Sequence, residues 1–209
     1  MNHLDLEVLK QHRPTLAGME SCRKSAVTIP LLPSGDAESG YEILFEVRSA
    51  EVESQPGDIC LPGGMAEEGE KPEQTAVRET AEELRIREDQ IRILGPMDVL
   101  YTGSGLLLYP FAAELLDYGS SFSDDEVAEV FQVPLDYFLQ TDPEIWHTQM
   151  KVMPEEGFPF ERIHAGRDYA WRTRREEVLF YQYGKYTIWG LTAKIMRSFA
   201  GIAGRCLSQ

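Results

Sequence analysis

Between Gly64 and Ile86 the chain reads GMAEEGEKPEQTAVRETAEELRI, a spacing of carboxylates that suits metal-assisted attack on a diphosphate. Gly64 is followed after five residues by Glu70, after seven more by Arg78-Glu79, and after two more by Glu82-Glu83. Pro72 suits the first turn of a helix, where its missing N–H costs little, and EQTAVRETAEEL has good helix formers with no internal glycine or proline. A helix over residues 72–86 is predicted. Ala76, Val77, Thr80, Ala81 and Leu84 form its apolar stripe, while Glu79, Glu82 and Glu83 stand together at i, i+3 and i+4. Like charges so placed repel by about 0.2–0.5 kcal/mol per pair, so a solvated face gains nothing from the grouping. A hard divalent cation reverses that balance, because carboxylate oxygens are its preferred ligands and substrate phosphates complete its shell. Glu79, Glu82 and Glu83 are therefore candidate ligands for Mg²⁺ or Mn²⁺. Glu70, in the loop entering the helix, can join or orient them, and Arg78 can hold one carboxylate in a bidentate pair. The rival reading is an acidic helix in an acidic protein; against it stands the whole pattern, preceded by Leu61-Pro62-Gly63-Gly64, whose glycines let backbone approach an ion.

Stepping outward along the chain, residues 5–13 read as a short helix stopped by Pro14. SAVTIPLL and YEILFEVR read as central strands joined by the turn-forming PSGDAESG. After the glutamate helix come a strand near Ile91–Leu94 and another in LLLYPFAAEL. An acidic loop in SDDEVAEVFQVPLDYFLQ precedes a helix starting near Pro134. IWHTQMKVM and EVLFYQY have strand-like composition, and TIWGLTAKIMRSFAGIA makes a C-terminal amphipathic helix. The order fits a single α/β domain over 1–209, an α/β/α sandwich with a mixed central sheet.

At 209 residues and 43% apolar composition the chain can build one substantial core, and its net charge of −15 argues against nucleic acid or an anionic membrane as partner. No apolar run approaches the roughly 20 residues that span a bilayer. Cys22, Cys60 and Cys206 lack CxxC spacing and fit a reducing cytoplasm, with Cys60 a small core residue. The four histidines are scattered, without ligand spacing. Gly103-Ser104-Gly105 is not a nucleophile elbow, and no Walker lysine follows a glycine loop, so serine-hydrolase and kinase readings fall away. Ser104 and Gly105 read as a strand-entry turn, with a pocket-lining role as the other option.

The spaced pattern resembles the signature of the Nudix hydrolase family: glycine, five residues, glutamate, seven residues, Arg-Glu-aliphatic-x-Glu-Glu-x-Gly-aliphatic. Thr80 replaces the usual aliphatic residue, and Arg85 replaces the late glycine, which puts in question the turn at the helix end. SAVTIPLLPSG, YEILFEVRS and PGDICLPGG upstream, and GSGLLLYPF, DDEVAEVFQVPLDYFL and IWGLTAKIM downstream, resemble the branch that hydrolyses coenzyme A and its thioesters. That branch carries a basic residue where this chain has Glu53, and phenylalanine where it has Leu61. The resemblance implies a Nudix-type sandwich with its box at 64–86, and a further carboxylate, Glu126 or Glu129, facing the metal helix, against the alternative of a solvated acidic loop. It also implies Arg48 as a phosphate contact, against the alternative of a surface arginine at a strand end, and a nucleotide diphosphate as substrate. Coenzyme A or an acyl derivative would give adenosine 3′,5′-bisphosphate and a 4′-phosphopantetheine. The alternatives are ADP-ribose, a nucleotide sugar or a dinucleoside polyphosphate, or a sensor that binds a nucleotide without turnover.

Within residues 153–175, the stretch RIHAGRDYAWRTRR is the most basic of the chain, with Tyr169 and Trp171 interleaved. One reading lays it over the active site, where Arg174 and Arg175 meet the substrate's remote phosphate and replace the basic residue lost at Glu53. The other pairs these arginines with surplus acids, including across a homodimer interface.

Overall fold

The structure, a computed structural model, describes residues 10, 11, 13 and 17–207; the expected helix over 5–13 lies for the most part outside the described residues. SAVTIPLL forms the body of β1 (Arg23–Pro33), which is buried on both faces, as a near-continuous apolar run requires. On one side β1 pairs antiparallel with β2 (Tyr41–Arg48), and on the other it runs parallel to β7 (Leu106–Leu115), from Arg23 opposite Leu106 to Leu31 opposite Glu114. Antiparallel neighbours complete a mixed eight-stranded sheet: β3 (Ile59–Cys60) and β8 (Val127–Pro134) on β2, β4 (Gly63–Met65) on β1, and β5 (Ile91–Pro96) and β6 (Leu100–Tyr101) on β7.

One face of this sheet carries helix α1 (Pro72–Leu84). Ala76 packs there with Ala26 and Phe111, and Leu84 with Leu32, Leu44, Ile91, Ala113 and Leu115. Thr80 falls in the same interface, where its hydroxyl meets that of Thr28 at 2.9 Å, so the polar departure from the aliphatic pattern is satisfied inside the core. The opposite face is covered by α2 (Leu135–Gln140), α3 (Gly190–Leu207) and a three-stranded antiparallel sheet of β9 (Glu144–Met150), β10 (Arg174–Tyr183) and β11 (Tyr186–Trp189), in the order β11-β10-β9. Leu179, Ile188 and Met196 from this layer meet Ile29, Ile43, Phe45 and Val133 of the central sheet. The architecture is the α/β/α sandwich with a mixed sheet, carrying an extra small sheet in one outer layer.

Three local expectations are corrected. Thr187–Trp189 is not the start of the last helix; these residues pair with β10, Trp189 opposite Phe180, and Gly190 at φ 65 turns the chain into the helix. The segment after the acidic loop is a strand, β8, whose Val127, Phe131 and Val133 are buried. The box helix stops at Leu84 rather than 86, because Arg85 takes the left-handed conformation at φ 50, ψ 48, and Ile86 N–H then donates to Ala81 O at 3.0 Å. The turn usually made by glycine is thus made by arginine, against a backbone cost of roughly 1–2 kcal/mol.

Candidate active site

The antiparallel pairing of β4 with β1 sets Gly64 opposite Ala26 and Gly63 opposite Val27, beneath the face of α1 that carries the glutamates. Gly63 requires glycine for its backbone, and Gly64 leaves room for a ligand side chain. A Cβ on Gly64 would stand 2.4 Å from Cδ of Glu79, and one on Gly63, at φ 149, would stand 2.2 Å from the Ala26 carbonyl oxygen. Gly63 N–H donates to Glu83 Oε2 at 2.7 Å and so fixes that carboxylate at the loop. The two glycines bring backbone into direct contact with two of the predicted ligands.

Arg78 organises the remainder. Its Nε and Nη2 donate to the two oxygens of Glu70 at 3.0 and 3.1 Å, while Nη1 stands 2.9 Å from Glu79 Oε1 and 3.3 Å from Glu82 Oε2. Glu70 also accepts from the Thr75 hydroxyl at 2.8 Å and the Glu67 N–H at 3.0 Å. The hydrogen bonds from Arg78 lead the causes that hold its carboxyl down to about 2. Glu79 is shifted upward, because burial outweighs the nearby Arg78. Glu83 is only 4% exposed, and burial, aided by the charges of Glu79 and Glu126, pushes it up to about 8 against the opposing Gly63 N–H and Arg48. The Glu82 side chain is 59% exposed and stands at the rim. The three predicted ligands therefore range from a buried carboxyl to a solvated one.

The downstream acidic segment is strapped over the end of α1. Ser121 Oγ donates to Leu84 O and Ser123 N–H to Glu83 O, both at 2.7 Å, and Ser49 N–H, just past β2, donates to the Glu126 carbonyl at 2.8 Å. Glu126 thereby comes close enough for its charge to act on Glu79 and Glu83. Glu129 is directed elsewhere: its carboxylate accepts from Lys185 at 3.0 and 3.2 Å and from the Tyr186 hydroxyl at 2.5 Å. Arg48, the last residue of β2, hydrogen bonds Ser54 O through Nε at 3.0 Å, and its charge opposes the upward shift of Glu83. It also lines a cavity of about 280 Å³ with Asp58, Ile59 and Trp189. The same three residues line a second cavity of about 480 Å³ that reaches Phe180, Lys185 and Tyr186. Arg48 thus stands between the carboxylates and an aromatic-walled hollow.

Arg174 and Arg175 open β10, opposite Met150 and Gln149. Arg174 Nε lies 3.2 Å from Glu176 Oε2, and its guanidinium packs beside Gly103. Neither arginine is brought into the glutamate cluster. Ser104 pairs with the Thr102 hydroxyl at 2.8 Å, and Gly105, at φ 76, turns the chain into β7. Cys60 is half-buried beside Glu46, and loss of solvent there pushes its thiol well up, so it has no thiolate character.

One carboxylate escaped the sequence reading. Glu46 on β2 is 1% exposed and within hydrogen-bonding reach of the Glu83 carboxyl, and burial followed by the charge of Glu83 drives its pKa far above the carboxylate range. Its Oε1 has no hydrogen-bond partner among the described residues. The available signal was a charged residue inside YEILFEVR, in a strand expected to be buried on both sides. The described residues hold no ready-gathered group of three metal-binding side chains. The donors are nevertheless of the right type: hard carboxylate oxygens, two of them held by the glycine loop, and a buried oxygen with no donor.

The NUDIX domain pattern matches residues 23–155. An uncharacterized Nudix hydrolase of Photorhabdus laumondii is 30% identical over 181 residues, which cover 85% of this chain and 83% of that protein. A peroxisomal coenzyme A diphosphatase of Mus musculus is 32% identical over 142 residues, 67% of this chain and 57% of that one. A peroxisomal coenzyme A diphosphatase of Caenorhabditis elegans is 35% identical over 115 residues, 53% and 49% of the two chains.

Proposed function

The chain belongs to the NUDIX family of hydrolases and acts on diphosphates, and from that premise we propose that its substrate is coenzyme A or an acyl-coenzyme A, cleaved to adenosine 3′,5′-bisphosphate and a 4′-phosphopantetheine. The observation that carries the chemistry is the placement of Glu79 and Glu83 against Gly63-Gly64, with the charges of Glu126 and Arg48 reaching Glu83. The choice of coenzyme A is supported by the likeness to two relatives that bear that name.

Glu79, Glu82 and Glu83 would hold Mg²⁺ or Mn²⁺. Such a cation supplies Lewis-acid polarisation of the phosphoryl oxygens and neutralises charge that develops on them. The protein's own residues do the rest. Arg78, clamped by Glu70, sets the position of Glu79, and the Gly63 N–H aims Glu83. Arg48 offers a fixed positive charge to a phosphate. Glu126 takes the proton of the attacking water as its oxygen bonds to phosphorus and the anhydride oxygen leaves with the other phosphate.

Arg174 and Arg175 are proposed to meet the 3′-phosphate. In support, the Gly103 turn beside Arg174 leads into β7 at Leu106, opposite Arg23 on β1, and Gly64 pairs with Ala26. Arg23 and Ala26 are three residues, roughly 10 Å, apart along β1. Arg174 therefore stands toward the end of the sheet that carries the carboxylates. Exposed Glu53, where the coenzyme A pattern is basic, favours the alternative substrate class, ADP-ribose, a nucleotide sugar or a dinucleoside polyphosphate. The proposal includes a cytoplasmic setting, consistent with free Cys22 and Cys60, and a homodimer, to which the exposed Ile145, Trp146 and Met150 on the outer strand β9 lend support. No helix among the described residues is long and apolar enough to cross a membrane.

The test is product analysis with Mn²⁺ across coenzyme A, acetyl-coenzyme A, ADP-ribose, nucleotide sugars and diadenosine polyphosphates, with Glu83→Gln as control. Release of adenosine 3′,5′-bisphosphate that the control lacks supports the reading. Turnover confined to substrates without a 3′-phosphate assigns the alternative class, and no turnover of any diphosphate leaves a nucleotide sensor.

A further inference from the structure

Glu46 occupies a place where an ionised carboxylate has no evident reason to be. It lies on the central strand β2, 1% exposed, among the side chains that pack beneath α1. Its Oε2 has a weak contact, the Cys60 thiol at 3.9 Å, and its Oε1 has no donor among the described residues. Within hydrogen-bonding reach stands another buried carboxylate, Glu83, itself held by the Gly63 N–H. Buried charges are kept where they are paired or ligate a metal, and an unpaired carboxylate facing a second one is among the most costly arrangements a core can hold. Two compensations are open to such a pair, a proton shared between the carboxyls or a cation drawn from outside the protein. Arg48, the cation that acts on both Glu46 and Glu83, is engaged by Ser54 O and leaves Glu46 Oε1 unbonded.

We propose that Glu46 is an additional ligand of the metal centre, supplying its buried Oε1 to the divalent cation held by the box glutamates. The inference rests on the metal-dependent reading of that site. It assigns to β2 a role that the box spacing does not contain: the helix delivers carboxylates from above, and the strand delivers one from the floor. A sheet-borne ligand is also the more rigid, since at Glu46 β2 is paired on both sides, to Cys60 of β3 and Val130 of β8, whereas Glu82 at the rim is 59% exposed and tied to Arg78 at 3.3 Å.

The experiment is Mn²⁺ binding to the full chain, read by electron paramagnetic resonance of free Mn²⁺, for the parent, Glu46→Gln, Glu46→Met and Glu79→Gln, with melting curves in chelator. Both Glu46 variants should bind Mn²⁺ about 10- to 100-fold more weakly and, without metal, melt above the parent, because an underpaired buried carboxyl facing Glu83 has been removed. A folded Glu46 variant with parental affinity, beside a Glu79→Gln variant that has lost it, overturns the role of Glu46 alone and leaves a shared proton as the occupant of the Glu46–Glu83 contact. Parental affinity in all three variants overturns the metal reading itself. If neither Glu46 variant folds, a Mn²⁺-loaded crystal of the unaltered protein decides: a Glu46 oxygen at ligating distance, about 2.0–2.2 Å, supports the proposal, and a coordination shell without Glu46 overturns it.

Discussion

Glu83, on the helix over the central sheet, and Glu176, on β10 of the small sheet, are both glutamates beside basic residues, yet the fold moves them in opposite directions. Glu83 is pushed up to about 8 by burial, whereas Glu176 is held below the ordinary carboxylate range, chiefly by the Lys194 ammonium at 3.0 Å. The same contrast holds regionally. Around α1 the carboxylates outnumber their donors, and Glu46 has an oxygen with none. Along β10, half-buried Glu176 also has an oxygen without a hydrogen-bond donor, yet it has Lys194 and Arg174 as ion-pair partners, and exposed Glu177 meets Arg197 at 3.5 Å. An exposed pair such as Glu177–Arg197 contributes about 0–1 kcal/mol and tolerates change. Underpaired buried carboxylates cost stability, and a fold retains them where something else is to be bound. The density of unmet charge, more than the count of charged residues, separates the chemical region from the supporting one.

The sharpest way to break that contrast is Glu83→Gln, expected to lower kcat by about 10³-fold or more at saturating Mn²⁺; steady-state turnover near the parental value would remove Glu83 from the chemistry. Next is Gly64→Ala. Its Cβ collides with the Glu79 carboxylate, so kcat/KM should fall by about 10- to 100-fold while the melting temperature changes little, because the clash falls on a side-chain end at the site. In the second region, reversing Arg174 and Arg175 to glutamate should raise KM for coenzyme A by about tenfold, with less effect on the 3′-dephosphorylated form and none on kcat. Equal KM changes for the two substrates would reduce these arginines to surface pairing.

The smallest effects concern the frame. Arg85→Gly replaces the left-handed arginine at the end of α1 and should add about 1 kcal/mol of stability, a rise of roughly 2–4 °C in Tm, with activity unchanged. An unaltered Tm would mean that the strain is absorbed elsewhere. Glu70, held at about 2 by Arg78, has a folded pKa below its unfolded value. Its contribution is therefore present above pH ~4.5 and lost as pH falls toward 2. Glu70→Gln should flatten the acid side of the stability curve over that window, as followed by thermal melts from pH 5 to 2.

Much of α1 was legible because its evidence is local. Pro72 marks the start, the stripe of Ala76, Thr80 and Leu84 marks the buried side, and a helical period then dictates that Glu79, Glu82 and Glu83 share a neighbourhood. Even the doubtful turn at Arg85 was readable as a conflict, although not its outcome. Where local signals competed with pairing, they misled. TIW continues the apolar period of the last helix, yet its backbone hydrogen bonds go to β10, and β8 was hidden behind the acidic loop that precedes it.

By itself the sequence determined the carboxylate-bearing helix, the glycine approach and the class of chemistry they imply, since each depends on residues within one turn or one loop of each other. Only the tertiary structure decided which other groups join them. Ser121 and Ser123 reach back to Leu84 and Glu83, which turns Glu126 toward the cluster, while Lys185 and Tyr186 draw Glu129 away. Glu46 meets Glu83 across 37 positions of chain because β2 lies beneath α1. No spacing rule carries such information, because these neighbours are chosen by the stacking of whole elements, and the burial that shifts Glu46 and Glu83 exists only once the layers have closed.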